Sequence, residues 1–295
     1  MIEPLIKQYY IDAEKEEFDL KELPIFSKSF DHLPIDGIIC VSNFAKLILS
    51  KYYNIPDKKI DVIWNGTSNW KHVKVSNENK RIIKKNFGIN PNDKIIVFAG
   101  KLEARKGIAE FISTAKLIIK EFSDVHIIVA GSGNYNEYLP SCFEHFGKIS
   151  FTGNITLNQL SLIYQIADLG IVPSRWELFG YVAIEMMHSG LAVIATEVPG
   201  MNEIFMQYST KPELAKVVFS ENEFFVDIDS LFRIVKAYLN DNSKINQQAK
   251  EGLLCAKNIF SREHMGCKTV NFYNKMERSH MVKNHKSEIK ILNGH

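Results

Sequence analysis

Two acidic residues, Glu177 and Glu185, stand with seven residues between them around the start of an apolar segment, Val182-Ala183-Ile184, that continues as Met186-Met187. A carboxylate set among such side chains is costly unless it has a partner. Gly180, just ahead of the segment, leaves its backbone amide accessible. A bare amide at a helix start binds phosphate, and carboxylates accept hydrogen bonds from sugar hydroxyls. A second stretch, Gly100-Lys101-Leu102-Glu103-Ala104-Arg105-Lys106-Gly107, places cations between an apolar run and the next amphipathic segment. Cations beside a helix N-terminus also favour a phosphate. A nucleotide-sugar is the ligand that needs both sets of groups. The same residues fit a structural reading as well. Glu185 can pair with a lysine, Glu177 can be a first-turn acid stabilised by the helix dipole, and the lysines can serve solubility.

The elements that must position these residues alternate with clarity. Ile95 to Ala99 is a continuous apolar run, the pattern of a strand covered on both faces. Gly107 to Phe122 carries Ile108, Phe111, Ala115, Ile118 and Phe122, the stripe of an amphipathic helix. Val125–Ala130, Ile149–Thr152, Asp168–Pro173, Leu191–Thr196 and Ala215–Phe219 read as further strands, and residues 157–167, 181–189 and 200–207 as helices between them. Six strands with helical connections predict an α/β fold with a parallel, doubly wound sheet. Such sheets bind ligands at the carboxyl ends of their strands. Beyond the sheet, residues 228–239 and 243–259 are predicted helical. Ser261 is a candidate N-cap for a helix through Met276, and the polar tail from Lys283 is predicted frayed. Towards the start, Gly37 to Val41 reads as a strand, Ser42 as the cap of a helix to Tyr53, Ile60 to Trp64 as a strand, and residues 71–80 as a polar linker.

Composition narrows the function classes. The chain has 36 basic and 34 acidic residues, a net charge of +2, which implies no strong field for nucleic acid. Cys40, Cys142, Cys255 and Cys267 form no Cys-x-x-Cys pair and no zinc-ligand spacing, a usage that suits a reducing cytoplasm. The first residues lack the pattern of a signal peptide, and no apolar run approaches the ~18 residues of a spanning helix. An oxidoreductase on the same sheet would need Gly-x-Gly-x-x-Gly. Gly131-Ser132-Gly133 lacks the third glycine, because position 136 is Asn136.

The spacing of Glu177 and Glu185 resembles the EX7E motif of retaining GT-B glycosyltransferases, especially the large family 4 (glycosyl transferases group 1). The order of the surrounding segments is similar too: Val41-Ser42 before a helix, Ile60 to Gly66, Gly100-Lys101-Leu102 with Lys106-Gly107, Gly131-Ser132-Gly133, then Ser189 to Ala195 and Pro199-Gly200 with Glu203. The resemblance covers roughly residues 37 to 275. It implies the Rossmann-like C-terminal domain of a GT-B fold and transfer of a glycosyl group, with retention, from a nucleoside-diphosphate sugar. By this resemblance Lys106 and Glu177 are the catalytic pair, Lys106 on the donor diphosphate and Glu177 facing the sugar. Glu185 accepts the ribose hydroxyls, the amides of Phe179 and Gly180 lie near the sugar and distal phosphate, and Gly131 and Gly133 let the backbone approach the nucleotide. Lys101 stands where the family usually has arginine, keeping the charge but losing the bidentate fork. Pro199-Gly200 departs from the usual Gly-Gly on the acceptor side. No cofactor and no metal are implied.

The resemblance also sets the expected organisation. Residues 1–70 correspond to a remnant of the GT-B N-terminal domain, 71–80 to a linker, 81–260 to the donor-binding domain, and 261–295 to a C-terminal helix and tail. Because the acceptor is bound mainly by the first domain, its identity (glycan, lipid or protein) is open. Either this chain transfers sugar itself, or it is a truncated or non-catalytic nucleotide-sugar-binding subunit that needs a partner chain. The strand from Gly37 and its helix are expected to leave an apolar edge for a partner or a second copy, and the expected location is cytoplasmic, at most peripheral to the inner membrane face. His32, the only histidine before Val41-Ser42, is not assigned a role at the sugar.

Overall fold

The computed structural model describes residues 35–67, 70, 75–220 and 223–292, with side chains through Arg278. It divides into two compact units. One takes in the chain up to Gly66 together with everything from Phe260, the other residues Thr67–Ile259. The sequence boundaries set residues 261–295 apart, whereas here this segment groups with the N-terminal unit.

In the N-terminal unit, β1 (Ile38–Cys40), α1 (Asn43–Tyr53) and β2 (Ile60–Val62) form a parallel strand–helix–strand unit, with Ile38 opposite Ile60 and Cys40 opposite Val62. Ser42 caps α1 as its type predicts, its Oγ accepting from the Ala45 amide at 3.0 Å. A long helix, Arg262–Leu292, completes this unit. Its cap is Ser261, whose Oγ accepts from the His264 amide at 3.1 Å. It packs on β1 at Gly37, where a Cβ would lie 2.6 Å from Met276 Sδ and 2.7 Å from the Phe272 ring. Lys275 holds Asp61 of β2 at 2.9 Å. The helix runs on past Met276 to Leu292, and no glycine or proline interrupts Cys267 to Leu292. Residues 1–34, on which cover of β1 and the reading of His32 turn, lie outside the described residues.

The larger unit is an α/β layer structure. It opens with α2 (Asn77–Asn86), which begins inside the stretch read as linker because Ser76 caps it, accepting from Asn79 N at 3.2 Å. Residues 71–74 lie outside the described residues. Five parallel strands follow: β3 (Lys94–Ala99), β4 (Val125–Ala130), β5 (Ile149–Gly153), β6 (Leu169–Val172) and β7 (Ala192–Ala195), in the order β5-β4-β3-β6-β7. Ile96, Phe98, Ile127, Val129, Ile171 and Ile194 share one face and pack with Ile108, Phe111, Ala115 and Ile118 of α3 (Ile108–Glu121) and with Leu231 and Val235. On the other face Met186 Sδ comes so close to Gly170 that a Cβ there would sit 2.4 Å from it. The open edge of β7 is closed by Gln248, whose amide exchanges two hydrogen bonds with the Val193 backbone.

The sixth predicted strand is corrected. Val217–Ser220 pairs antiparallel with Glu223–Val226, Val217 opposite Val226, and the segment leading into it meets the main sheet through an isolated bridge between Ala215 and Thr196. Its residues alternate between half-buried and exposed, so this apolar run is one side of a hairpin rather than a strand covered on both faces. Helices Ile228–Leu239 and Asn242–Asn258 then close the unit.

Candidate functional site

Strands β3 and β6 are neighbours, with Ile96 opposite Leu169 and Phe98 opposite Ile171. They lie where the strand order reverses, so their following loops emerge side by side at the crevice where open α/β sheets take ligands. The loop after β3 turns through a short 3-10 helix, Ala104–Lys106, into α3. The loop after β6 runs from Pro173 to Gly180 and enters α4 (Tyr181–His188). Lys106 Nζ meets Glu177 Oε2 at 2.6 Å, with the two side chains 19% and 17% exposed. Both border a narrow cleft of about 60 Å3 together with Phe98, Pro173, Ser174 and Gly180.

Four contacts fix these loops. The Arg175 amide donates to the Arg105 carbonyl at 2.9 Å, and the Gly200 amide to the Glu177 carbonyl at 3.0 Å. Thr196 Oγ1 donates to the Ser174 carbonyl at 2.6 Å. Arg175 Nε donates to Glu110 Oε1 at 2.7 Å in a pair only 16% and 7% exposed, with the guanidinium over the Phe225 ring. The Lys106 and Glu177 loops are therefore clasped by a buried ion pair as well as by their own salt bridge. Arg175 lies inside the acidic motif and Glu110 in the first turn of α3, yet neither stood out in the sequence. Their pairing depends on the adjacency of β3 and β6, which no spacing along the chain reveals.

Gly180 caps α4 with φ at 101°, a conformation that favours glycine, and as a glycine it offers no side-chain cap to the helix. Phe179 is buried, its ring edge-on to Tyr181 at 6.0 Å between centroids. Glu185 is the fifth residue of α4, about 6 Å along the axis from Tyr181 at ~1.5 Å per residue. It does not border the small cleft. It is half-buried, and burial pushes its carboxyl up to about 7 although a hydrogen bond from Trp70 works against the rise. Tyr164 lies close enough for the Glu185 charge to raise its phenol further, beyond the larger effect of its own burial. Lys101 is largely exposed, and its nearest acid is Glu103 at 3.7 Å. Gly131 and Gly133 flank the crevice, but what approaches them closely is protein. A Cβ on Gly131 would fall 1.7 Å from the Gly100 carbonyl oxygen, and one on Gly133 2.5 Å from Leu102 Cβ. These glycines let the loops after β3 and β4 touch, which places Lys101 and Lys106.

Among the described residues no group of three or more His, Cys, Asp or Glu could hold a metal. The chain has one Asp-x-Asp triplet, Asp227-Ile228-Asp229, and its first member caps a helix, Asp227 Oδ1 accepting from the Ser230 amide at 3.0 Å. Among the described residues no helix is long and apolar enough to cross a membrane.

Comparison with known proteins places this geometry in context. A model of the glycosyl transferases group 1 family matches residues 79–252. The uncharacterized glycosyltransferase MJ1607 of Methanocaldococcus jannaschii is 33% identical over 171 residues, 57% of this chain and 44% of that protein. The alpha-monoglucosyldiacylglycerol synthase of Streptococcus pneumoniae is 26% identical over 173 residues, 58% of this chain and 39% of that one. The alignments thus span less than half of either relative. Among solved structures, sucrose-phosphate synthase from Thermosynechococcus elongatus superposes with a TM-score of 0.67 at 21% identity, covering 83% of this chain and 59% of that one. Anabaena HepE, solved in complex with UDP and glucose, gives 0.68 at 17% identity, covering 81% and 63%. These likenesses establish the fold as α/β with the Rossmann-like sheet of GT-B proteins.

Proposed function

This chain belongs to the glycosyl transferases group 1 family, and on that premise we propose that its larger unit binds a nucleoside-diphosphate sugar and serves glycosyl transfer with retention of configuration. The observation that carries the reading is the Lys106–Glu177 pair, held at 2.6 Å beside the bare N-terminus of α4 at the reversal point of the sheet. The chemistry follows from charge. When the bond from sugar to diphosphate breaks, negative charge grows on the leaving phosphate. Lys106 and the amides at Phe179 and Gly180 are preorganised to receive it. Lys106 is neutralised by Glu177 at rest, so an arriving diphosphate takes over the ammonium and leaves the carboxylate facing the sugar. Lys101, on a long exposed stem, adds a second cation. Glu185 takes the ribose hydroxyls. This assignment uses no cofactor or metal.

The relatives are named for different products, including a glucosyl lipid and a sucrose phosphate. What this chain is proposed to share with them is the donor side, and the acceptor is left to the remainder of the enzyme. Calorimetry with UDP, GDP and ADP, in EDTA and with Mg2+, tests the reading. We expect one nucleotide to bind with a Kd between about 1 μM and 1 mM, the usual range for substrates. Binding should persist in EDTA and be lost in Glu185→Ala. Folded protein that binds none of the three refutes the donor site.

A further inference from the structure

Tyr181 borders the cleft beside Lys106 and Glu177, yet it is 45% exposed. It is the first residue of α4, where a side chain leans back towards the helix N-terminus. The ring therefore stands over the turn at Phe179 and Gly180, whose amides receive phosphate charge in the reading above. Phe179, 4% exposed, meets it edge-on at 6.0 Å between centroids, with the planes at 77°. A buried ring thus backs a phenol that is otherwise largely in water.

The cleft is too small for a sugar as it stands. It holds about 60 Å3, whereas a site for a small molecule usually offers ~300 Å3 or more. A wall must move when a ligand enters. Phe98, Val172, Pro173 and Ser174 are buried, and Lys106 and Glu177 hold each other at 2.6 Å. Tyr181 is the long side chain at this cleft that can swing without opening the core or breaking an ion pair. The cleft also lacks a polar partner. Ser174 borders it at 1% exposure, and the Ser174 hydroxyl is buried with no hydrogen-bond partner. A buried hydroxyl is costly in that state, and a sugar hydroxyl can relieve it.

We propose that Tyr181 is a specificity-determining residue for the donor, its ring swinging from the cleft mouth to close over the C–H face of the transferred sugar. This rests on the donor-site reading above and adds to it a residue that tells a nucleotide sugar from a free nucleoside diphosphate. A pyranose presents C–H groups on a face and hydroxyls around its rim. A phenol backed by Phe179 offers an apolar ring to that face and keeps its polar tip wet. Lys106, the amides at the start of α4 and Glu185 meet groups that both ligands carry. Tyr181 meets only the ligand with a sugar.

The experiment titrates each nucleoside diphosphate and its sugar conjugate (UDP with UDP-glucose, GDP with GDP-mannose, ADP with ADP-glucose) into wild type, Tyr181→Leu and Tyr181→Phe, and follows the pair that binds best. Tyr181→Leu should lose about 10-fold in affinity for the conjugate, the worth of one aromatic contact, and stay within about 2-fold for the free diphosphate. Tyr181→Phe keeps the ring and should bind both ligands within about 2-fold of wild type. Equal changes for both ligands in Tyr181→Leu, no change, or tighter binding of the conjugate overturns the proposal. A loss in Tyr181→Phe as large as in Tyr181→Leu also overturns it, by placing the contact in the hydroxyl. Nitration of wild type, mapped by mass spectrometry, gives a readout without substitution, with Tyr273 at 64% exposure as the internal reference. Saturating conjugate should slow modification of Tyr181 more than free diphosphate does. Equal rates with the two ligands are the overturning result. Failure of wild type to bind any of these ligands sinks the donor site itself, a separate outcome.

Discussion

Glu185→Gln should make the protein more stable and less able to bind nucleotide, by an amount that depends on pH. The Glu185 carboxyl titrates near 4.5 when free and near 7 in the fold, raised mainly by burial. Its folded value lies above its unfolded one, so the native state holds the proton more tightly. Stability from this group is intact below the unfolded value and is lost as pH rises through about 7. The upward displacement, at about 1.4 kcal/mol per pH unit, makes the cost about 3 kcal/mol at pH 8 and about 1 kcal/mol at pH 5. Glutamine keeps the shape and a carbonyl acceptor and removes the ionisation. Urea denaturation at pH 5 and pH 8, followed by circular dichroism, should show the variant more stable by roughly those amounts. Nucleotide affinity should fall at pH 8 in the same protein. A variant no more stable than wild type at pH 8, or one with equal gains at both pH values, refutes the argument that burial penalises the Glu185 charge.

Glu177→Gln should bind free nucleoside diphosphate several-fold more tightly while abolishing transfer, because it releases Lys106 from its 2.6 Å partner; calorimetry and a donor-turnover assay separate the two effects. Weaker diphosphate binding would contradict it. Glu110→Gln leaves the Arg175 guanidinium buried without its countercharge and should cost about 3 kcal/mol in urea denaturation. Replacing the pair by Glu110→Leu with Arg175→Met should restore most of that stability, since packed apolar residues substitute well for a buried pair. Nucleotide affinity should recover only in part, because the clasp between the two loops is gone. In native protein a thiol reagent should modify Cys267 first, as it is exposed whereas Cys40, Cys142 and Cys255 are buried. Burial also pushes the Cys142 and Cys255 thiols up, so fast reaction of more than one thiol would contradict the packing.

The sheet was legible because its strands are covered on both faces. Ile95 to Ala99 and Val125 to Ala130 can sit nowhere else, and their loops must open at the carboxyl edge. Ala215 to Phe219 misled for the same reason: an apolar run looks alike whether both faces are covered or a hairpin partner covers one. Capping serines were readable, as Ser42 and Ser261 are, because the cap is local. The helix that Ser261 opens was read through Met276, and its extension to Leu292 was not, because the apolar stripe there is weak.

At the site the division runs between charge and support. Lys106 and Glu177 declare themselves by type and position, and the structure joins them. Glu110, Arg175 and Trp70 do not, because a buried acid in a first turn or a lone tryptophan has many ordinary uses. Their meaning comes from partners 65 residues away for Arg175 and Glu110, and from another helix for Trp70. The supporting residues carry the more demanding physics. Lys106 and Glu177 neutralise one another at the mouth of a cleft, whereas Glu185 is kept as an acid against the cost of burial, with a single indole to favour its charge. A fold optimised only for stability would replace it. Its place near a phenol left without a partner is the reason we propose this residue for the ribose end of the donor.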